Sequence, residues 1–330
     1  MTSNQKLAQN SRGEIDFELE AVVAKYIGLD SRGAYIDSLS GLEVDEVLKR
    51  FSLLKYGHLA SIRYFAIEIC KMASKSIVFK NFLTTARDNN ETVFITSPGI
   101  YNVPSASNVL LKESVSLLNV MCSIEGMPPI KIMEQARLEE SCPNYAKSSI
   151  KDRQSANQTE NVIPSIFKGR SVIYIDDVYI SGTVAECAKK RLIEEAGANS
   201  VFFLFGMKID KEVVQSTDGK VEDKLNRYLV DGTLDGLSNV ISDDFTTTQK
   251  TLRDLLIPEN QAGLSTYLSK LKPRIALKLY IAAMQNGFRE RWNGIYSGSV
   301  DILENHLIKT GLIGSDRLIS DKYIILNDND

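Results

Sequence analysis

The chain has 330 residues, of which 43% are apolar and 25% charged, with a formal net charge of −3 and an isoelectric point near 5.7. It exceeds one minimal α/β unit of about 150–200 residues, so additions or a second domain are expected around an ordinary globular core. The acidic balance excludes a broad nucleic-acid-binding face but permits a local basic pocket, which leaves nucleic acid open as a partner. No apolar run approaches the roughly 20 residues that span a bilayer, so no membrane partner is expected. Cys70, Cys122, Cys142 and Cys187 lack CxxC spacing, and only His58 and His306 offer imidazoles. A zinc site is therefore not expected, and reduced thiols in a cytoplasmic protein are.

The N-terminal MTSNQKLAQNSRGEIDFELE is polar and acidic, which predicts a disordered lead over residues 1–14 and no signal peptide. Apolar positions recur at helical spacing in FELEAVVAKYI and in SIRYFAIEICKMA, so residues 15–80 read as helices within an N-terminal segment 1–80. Tyr56, Gly57 and His58 make a punctuated turn between these stretches. His58 suits a catalytic base or, weighted more heavily, a residue at a helix N-terminus. TVFITS (92–97) predicts a strand, followed by Ser97, Pro98 and Gly99, and Ser105 or Ser107 then caps a helix through LLKESVSLLNVM. PIKIM (129–133) predicts a second core strand. Residues 134–165 are polar and lack periodicity, and so long a stretch inside a compact core is commonly a lid or binding loop. Its Arg137, Lys147, Lys151 and Arg153 are cations able to close over a polyphosphate; a solvated loop is the other reading.

Residues 171–206 carry the strongest pattern. Val172 to Ile175 predicts a strand buried on both faces, ended by Asp176 and Asp177, which face solvent. A tight Ser181-Gly182-Thr183 loop follows, then a helix from Val184 closed by Gly197, then a second buried strand from Val201 to Phe205. This is a right-handed βαβ unit with its loop at the carboxyl end of the first strand. Gly182 lets the backbone approach a ligand, and the amides of Ser181 to Val184 favour a phosphate at a helix N-terminus. Ser181 and Thr183 add hydroxyls, while the acid pair suits ribose hydroxyls or Mg2+. The competing reading is a plain capped turn with two solvated aspartates.

MKIDKEVV predicts one further edge strand, and residues 220–330 are mostly helical, with a break or helix start at Pro273. Within FRERWNGIYSGS (288–299), Arg289, Arg291, Trp292 and Tyr296 suit an aromatic, cationic surface for a base or a partner. Trp292 as a core anchor between helices is the preferred alternative.

IDDVYISGT resembles the phosphoribosyl pyrophosphate (PRPP) signature of type I phosphoribosyltransferases, and the spacing of Gln135, Arg153 and Asn157 resembles the ComF-like branch. The resemblance implies that Asp176 and Asp177 contact ribose hydroxyls, directly or through Mg2+, and that Ser181, Gly182, Thr183 and Val184 grip the 5′-phosphate. It places pyrophosphate on the loop of Ser97, Pro98 and Gly99, often with a cis peptide, an ordinary strand-to-helix loop with prolines being the equal alternative, and makes residues 134–165 a mobile hood carrying Lys151 and Arg153. Two positions depart from the pattern: Ile180 stands where the family often has Thr or a basic Asp, and Val184 where it has Ser or Thr. The expected architecture is an α/β type I phosphoribosyltransferase-like parallel-sheet core (81–210), between a helical N-terminal segment (1–80) and a helical C-terminal domain (211–330). The expected activity is Mg2+-dependent transfer of ribose 5-phosphate from PRPP to an unidentified acceptor, and the divergent loop and helical extension resemble phage-defence effectors. The alternatives are a non-catalytic sensor of PRPP or a nucleotide, and an assembly protein whose C-terminal helices bind a protein partner.

Overall fold

The computed structural model describes residues 20–137, 161–162, 164–217 and 220–321. The first half supplies β1 (Ala21–Leu29), β2 (Tyr35–Asp37), α1 (Asp45–Lys55), α2 (Leu59–Lys75), α3 (Ile77–Asp88), β3 (Val93–Thr96), α4 (Ala106–Ile124) and β4 (Lys131–Ile132). A two-stranded ribbon of β5 (Ala136–Arg137) and β6 (Asn161–Val162) precedes β7 (Ser171–Tyr179), α5 (Thr183–Lys190) and β8 (Ser200–Ile209). The remainder is helical: α6 (Lys211–Ser216), α7 (Val221–Asn226), α8 (Leu234–Leu237), α9 (Gln249–Leu256), α10 (Gln261–Leu268), α11 (Pro273–Gln285) and α12 (Ser297–Thr310). No helix among the described residues is long and apolar enough to cross a membrane.

Six strands form one sheet in the order β2-β1-β8-β7-β3-β4, parallel throughout except for the edge strand β2. The chain leaves β3 toward β4 on one side and leaves β7 toward β8 on the other. The crevice between the carboxyl ends of β3 and β7 is therefore the topological switch point, the place where open α/β sheets bind ligands. Helices α1 to α4 cover one face, with Phe51, Phe65, Phe79 and Leu110 packed on Ile173, Ile175, Phe202 and Leu204. On the other face α5 packs its Ala185 with Phe167, Tyr174, Phe203 and Phe205. A separate core joins the C-terminal helices, among them Leu252, Leu264, Leu279 and Leu303, and takes in Tyr56 and Val103 from the first half.

Three expectations are corrected. The described part of FELEAVVAKYI is not helical: from Ala21 it is β1, paired with β8 from Ala21↔Phe203 to Ile27↔Ile209. A short apolar run fits either period, and here the open edge of β8 decides, because its backbone groups need a strand partner. Helical spacing holds only from Asp45 onward. Second, MKIDKEVV adds no new edge strand; β8 runs on to Ile209, and Lys211 starts a helix. Third, the acids do not end their strand. β7 continues to Tyr179, held by β8 through Tyr179↔Lys208.

The alternation of side chains slips by one residue on each of three adjacent strands, at the same level on β7 and β8 and two residues further along on β1. The residues facing the first core are Val22, Ala24 and then Ile27 on β1, and Phe202, Leu204 and then Met207 on β8. On β7 they are Ile173, Ile175 and then Val178. The pairing offset stays constant, from Ile175↔Leu204 to Val178↔Met207, so no strand carries an extra residue. The slip falls at Asp176–Asp177 on β7 and beside Gly206 on β8. A Cβ on Gly206 would stand 2.7 Å from the Asp177 carbonyl oxygen, which is why this strand interior carries glycine.

Candidate functional site

β3 pairs with β7 only as far as Thr96↔Tyr174, so beyond Tyr174 one flank of β7 is open. The N-terminus of α4 fills that gap. Ser105, the expected cap, donates from its amide and its hydroxyl to Asn108 Oδ1 at 2.7 and 2.8 Å. The Asn108 amide donates in turn to the Pro98 carbonyl (2.7 Å) and to Ser97 Oγ (2.9 Å), tying the loop after β3 to the helix. This fixes Ser107, whose hydroxyl donates to Asp176 Oδ1 at 2.6 Å. Asp176 Oδ1 also accepts the Asp177 amide at 2.8 Å. Every peptide bond among the described residues is trans, including Ser97–Pro98, so the expected cis bond is absent there.

The acids are buried rather than solvent-facing, at 8% exposure for Asp176 and 4% for Asp177. Asp177 accepts from Lys55 Nζ at 2.8 Å, and the same ammonium lies 3.6 Å from Glu222. Burial pushes the Asp176 carboxyl up to about 7, with the neighbouring Asp177 charge adding to it against Ser107 and Lys55. Burial raises Asp177 as well, with Lys55 opposing. For Lys55 burial favours the neutral amine, but Asp177 and Glu222 outweigh it and hold the group above the ordinary lysine range.

The strand-to-helix loop has the expected shape. Gly182 caps α5 in the left-handed region, φ 81°, and a Cβ there would lie 2.6 Å from Tyr179 Oη. Ser181 and Thr183 hydroxyls stand 3.0 Å apart at the start of the helix, whose first amides have no partner within the helix. Together with the acids this loop floors a cavity of about 230 Å³, lined from Ile180 to Ala185 and by Pro98 and Ser107. Of the expected pyrophosphate loop, Pro98 reaches the cavity, Ser97 is buried behind it, and Gly99 follows in the chain. Ile180 is half-buried against the first core.

The opposite wall was not anticipated. Lys55 from α1, Glu222 and Asn226 from α7, and Gln249, Lys250 and Arg253 from α9 all line the cavity. Lys250 is held by Asp254 at 2.8 and 3.0 Å. Asp254 also takes the Tyr56 hydroxyl and lies 3.4 Å from Arg227. Burial pulls the Lys250 ammonium below the ordinary lysine range, against the attraction of Asp254. Arg253 sits over the Trp292 ring at 5.7 Å. The only sequence signal was the polar face of TTTQKTLRDLLI, which reads equally as solvated.

Of the hood cations, Arg137 lines the cavity; Lys147, Lys151 and Arg153, and with them the neutral Asn157, lie outside the described residues. Gln135 is buried and donates to Thr96 Oγ1 at 3.2 Å. His58 caps α2 by accepting the Ser61 amide at 3.3 Å, and is not part of the cavity lining. Trp292 packs edge-on to Phe288 and Tyr296 against the C-terminal core. Arg289 is paired with Asp301 and Glu304, and Arg291 lies over Tyr101 at 4.2 Å. The FRERWNGIYSGS cluster is thus largely spent on packing.

The acid pair is a poor fit to a resident Mg2+. One Asp177 oxygen is bonded to an ammonium, Asp176 Oδ1 already takes two donors, and no group of three potential ligands capable of holding a metal occurs among the described residues. No curated protein matches the chain. Two crystal forms of a hypoxanthine phosphoribosyltransferase from Staphylococcus aureus are similar to it at 11% identity and a TM-score of 0.28. The orthorhombic form covers 46% of this chain and 74% of that one, the tetragonal form 45% and 75%. The family described as PRTase ComF-like matches residues 47–303, well over half of the chain, and the chain belongs to that family of phosphoribosyltransferase-like α/β proteins.

Proposed function

We propose that the cavity binds PRPP and that the protein transfers its ribose 5-phosphate to an acceptor. The observation that carries this reading is the joint placement of Asp176 and the Gly182-capped start of α5 on one cavity floor at the switch point. On this reading the amides of Ser181 to Val184 hold the 5′-phosphate, Asp176 accepts from a ribose hydroxyl, and pyrophosphate lies toward Pro98 and Arg137. Lys151 and Arg153 of the expected hood would act at the same end. Catalysis is then positional and electrostatic: cations stabilise the departing pyrophosphate while positive charge develops on the ribose. Magnesium belongs to the ligand here, as the counter-ion of its pyrophosphate.

A second reading, a sensor that binds PRPP without turning it over, is favoured by Ile180, which offers no base at the position where the family often carries one. Thermal unfolding of the full chain tests binding first. PRPP at 100 times its Kd stabilises by about 2.7 kcal/mol, and no shift with PRPP, ribose 5-phosphate or a nucleoside monophosphate would remove the site assignment. Pyrophosphate release in the presence of nucleobases and nucleotides then separates enzyme from sensor.

A further inference from the structure

We propose that Lys55 is the resident counter-cation of the acid pair, so that Asp177 is held by the protein, Asp176 is the carboxylate left to the ligand without an ammonium on it, and neither takes a divalent ion. The expectation from sequence was two equivalent acids sharing Mg2+, and the geometry divides them. Lys55 is the last residue of α1, where the helix dipole favours a cation. Its position is over-determined: its carbonyl accepts from the Thr248 hydroxyl at 3.0 Å, and its ammonium lies 5.3 Å from the Phe51 ring centre. One turn earlier, the Ser52 hydroxyl donates to the Asn226 carbonyl at 2.8 Å, fixing α1 to α7. The ammonium is therefore carried to the acid pair by a helix end that packing holds in place.

A magnesium ion coordinates carboxylate oxygens at about 2.1 Å, which at Asp177 Oδ1 would set a dication almost against the Lys55 nitrogen in a buried, low-dielectric setting. Three carboxylates, Asp176, Asp177 and Glu222, surround the site, and Lys55 is the cation that answers them in the interior. Asp176 differs from its neighbour. Both acids line the cavity and each keeps an Oδ2 with no partner found among the described residues, but Asp176 Oδ1 takes a hydroxyl and an amide whereas Asp177 Oδ1 takes the Lys55 ammonium. Asp176 is thus the acceptor left for a hydroxyl, and Lys55 is a positioning residue that acts through Asp177.

This inference goes beyond the phosphoribosyl reading and depends on it only for the name of the ligand. The test is Mn2+ uptake by the full chain without any sugar, followed by electron paramagnetic resonance, in wild type, Asp176→Asn, Asp177→Asn and Lys55→Met. Wild type and the two aspartate variants should be indistinguishable. Lys55→Met should gain a Mn2+ site at least about tenfold tighter, and that gain should vanish when Asp177→Asn is added. A wild-type Mn2+ site that Asp176→Asn or Asp177→Asn weakens would overturn the proposal, and this comparison stands even where Lys55→Met does not fold. A second readout is ribose 5-phosphate affinity in EDTA. It should equal that in Mg2+ and fall about tenfold or more in Asp176→Asn; binding abolished by EDTA and restored by Mg2+ would also overturn it. Absence of any sugar binding would defeat the phosphoribosyl reading alone, and leave the Mn2+ result to decide this one.

Discussion

The floor and the far wall of the cavity are built in opposite ways. The floor is one unbroken stretch, Asp176 to Ala185, in which a strand, a left-handed glycine and a helix start follow each other directly. The wall draws on α1, α7 and α9, and the ion pair that ties it to the floor, Lys55 to Asp177, joins residues 122 positions apart. Local chemistry shapes the floor, because loop geometry and helix-end amides need only neighbours in sequence. The wall exists only once long-range packing has brought buried charges together, so its energetic stakes are higher: a charge left unpaired there cannot be rehydrated.

The comparison breaks if the wall proves dispensable to the fold. Lys55→Met should therefore have the largest effect, about 3–5 kcal/mol of stability by urea denaturation, since it strands Asp177 and Glu222. Adding Asp177→Asn should recover part of that loss, a coupling that a mere packing defect would not show. Asp254→Asn comes next, at about 2–3 kcal/mol, because Tyr56, Lys250 and Arg227 all turn to that carboxylate. Its effect on ribose 5-phosphate affinity should be small.

On the floor the order reverses. Gly182→Ala should cost only about 1–2 kcal/mol of stability, from a left-handed backbone, yet abolish detectable ribose 5-phosphate binding by calorimetry. The contrast is also sharpened through pH. The native Asp176 carboxyl titrates near 7, above its unfolded value, so the native state holds the extra proton across the window from about pH 4 to about 7. Stability is lost as pH rises through that window. Asp176→Asn should accordingly gain on wild type as pH rises from about 4 to about 7, and a constant difference would show that the two acids are not split as described.

How much of this was legible follows the same divide. The Val172–Ile175 run, the acid pair, Gly182 and the return strand at Val201 could be read because each signal is contiguous. Ser105 was legible as a cap, but the role of Ser107 required knowing that β3 stops at Thr96. AVVAKYIGL carries no mark that separates a strand from a helix, since its partner β8 lies far along the chain. Lys55, Glu222 and Lys250 looked like any charges on helix faces, and only burial distinguishes them. The solvent-facing acids were an error of the same kind: a carboxylate pair at a strand end is normally hydrated unless distant helices close over it.

The shared slip across β1, β8 and β7 has a consequence for how this site can change. A crease that runs through three strands cannot be ironed out in one of them. Restoring strict alternation in β7 alone would turn Val178 away from the core it shares with Met207. The acids are thus locked to their neighbours' backbone, and the site can be moved from a strand that contributes no acid to it. Gly206→Ala would press on the Asp177 carbonyl oxygen and displace both carboxylates while leaving every charged residue in place.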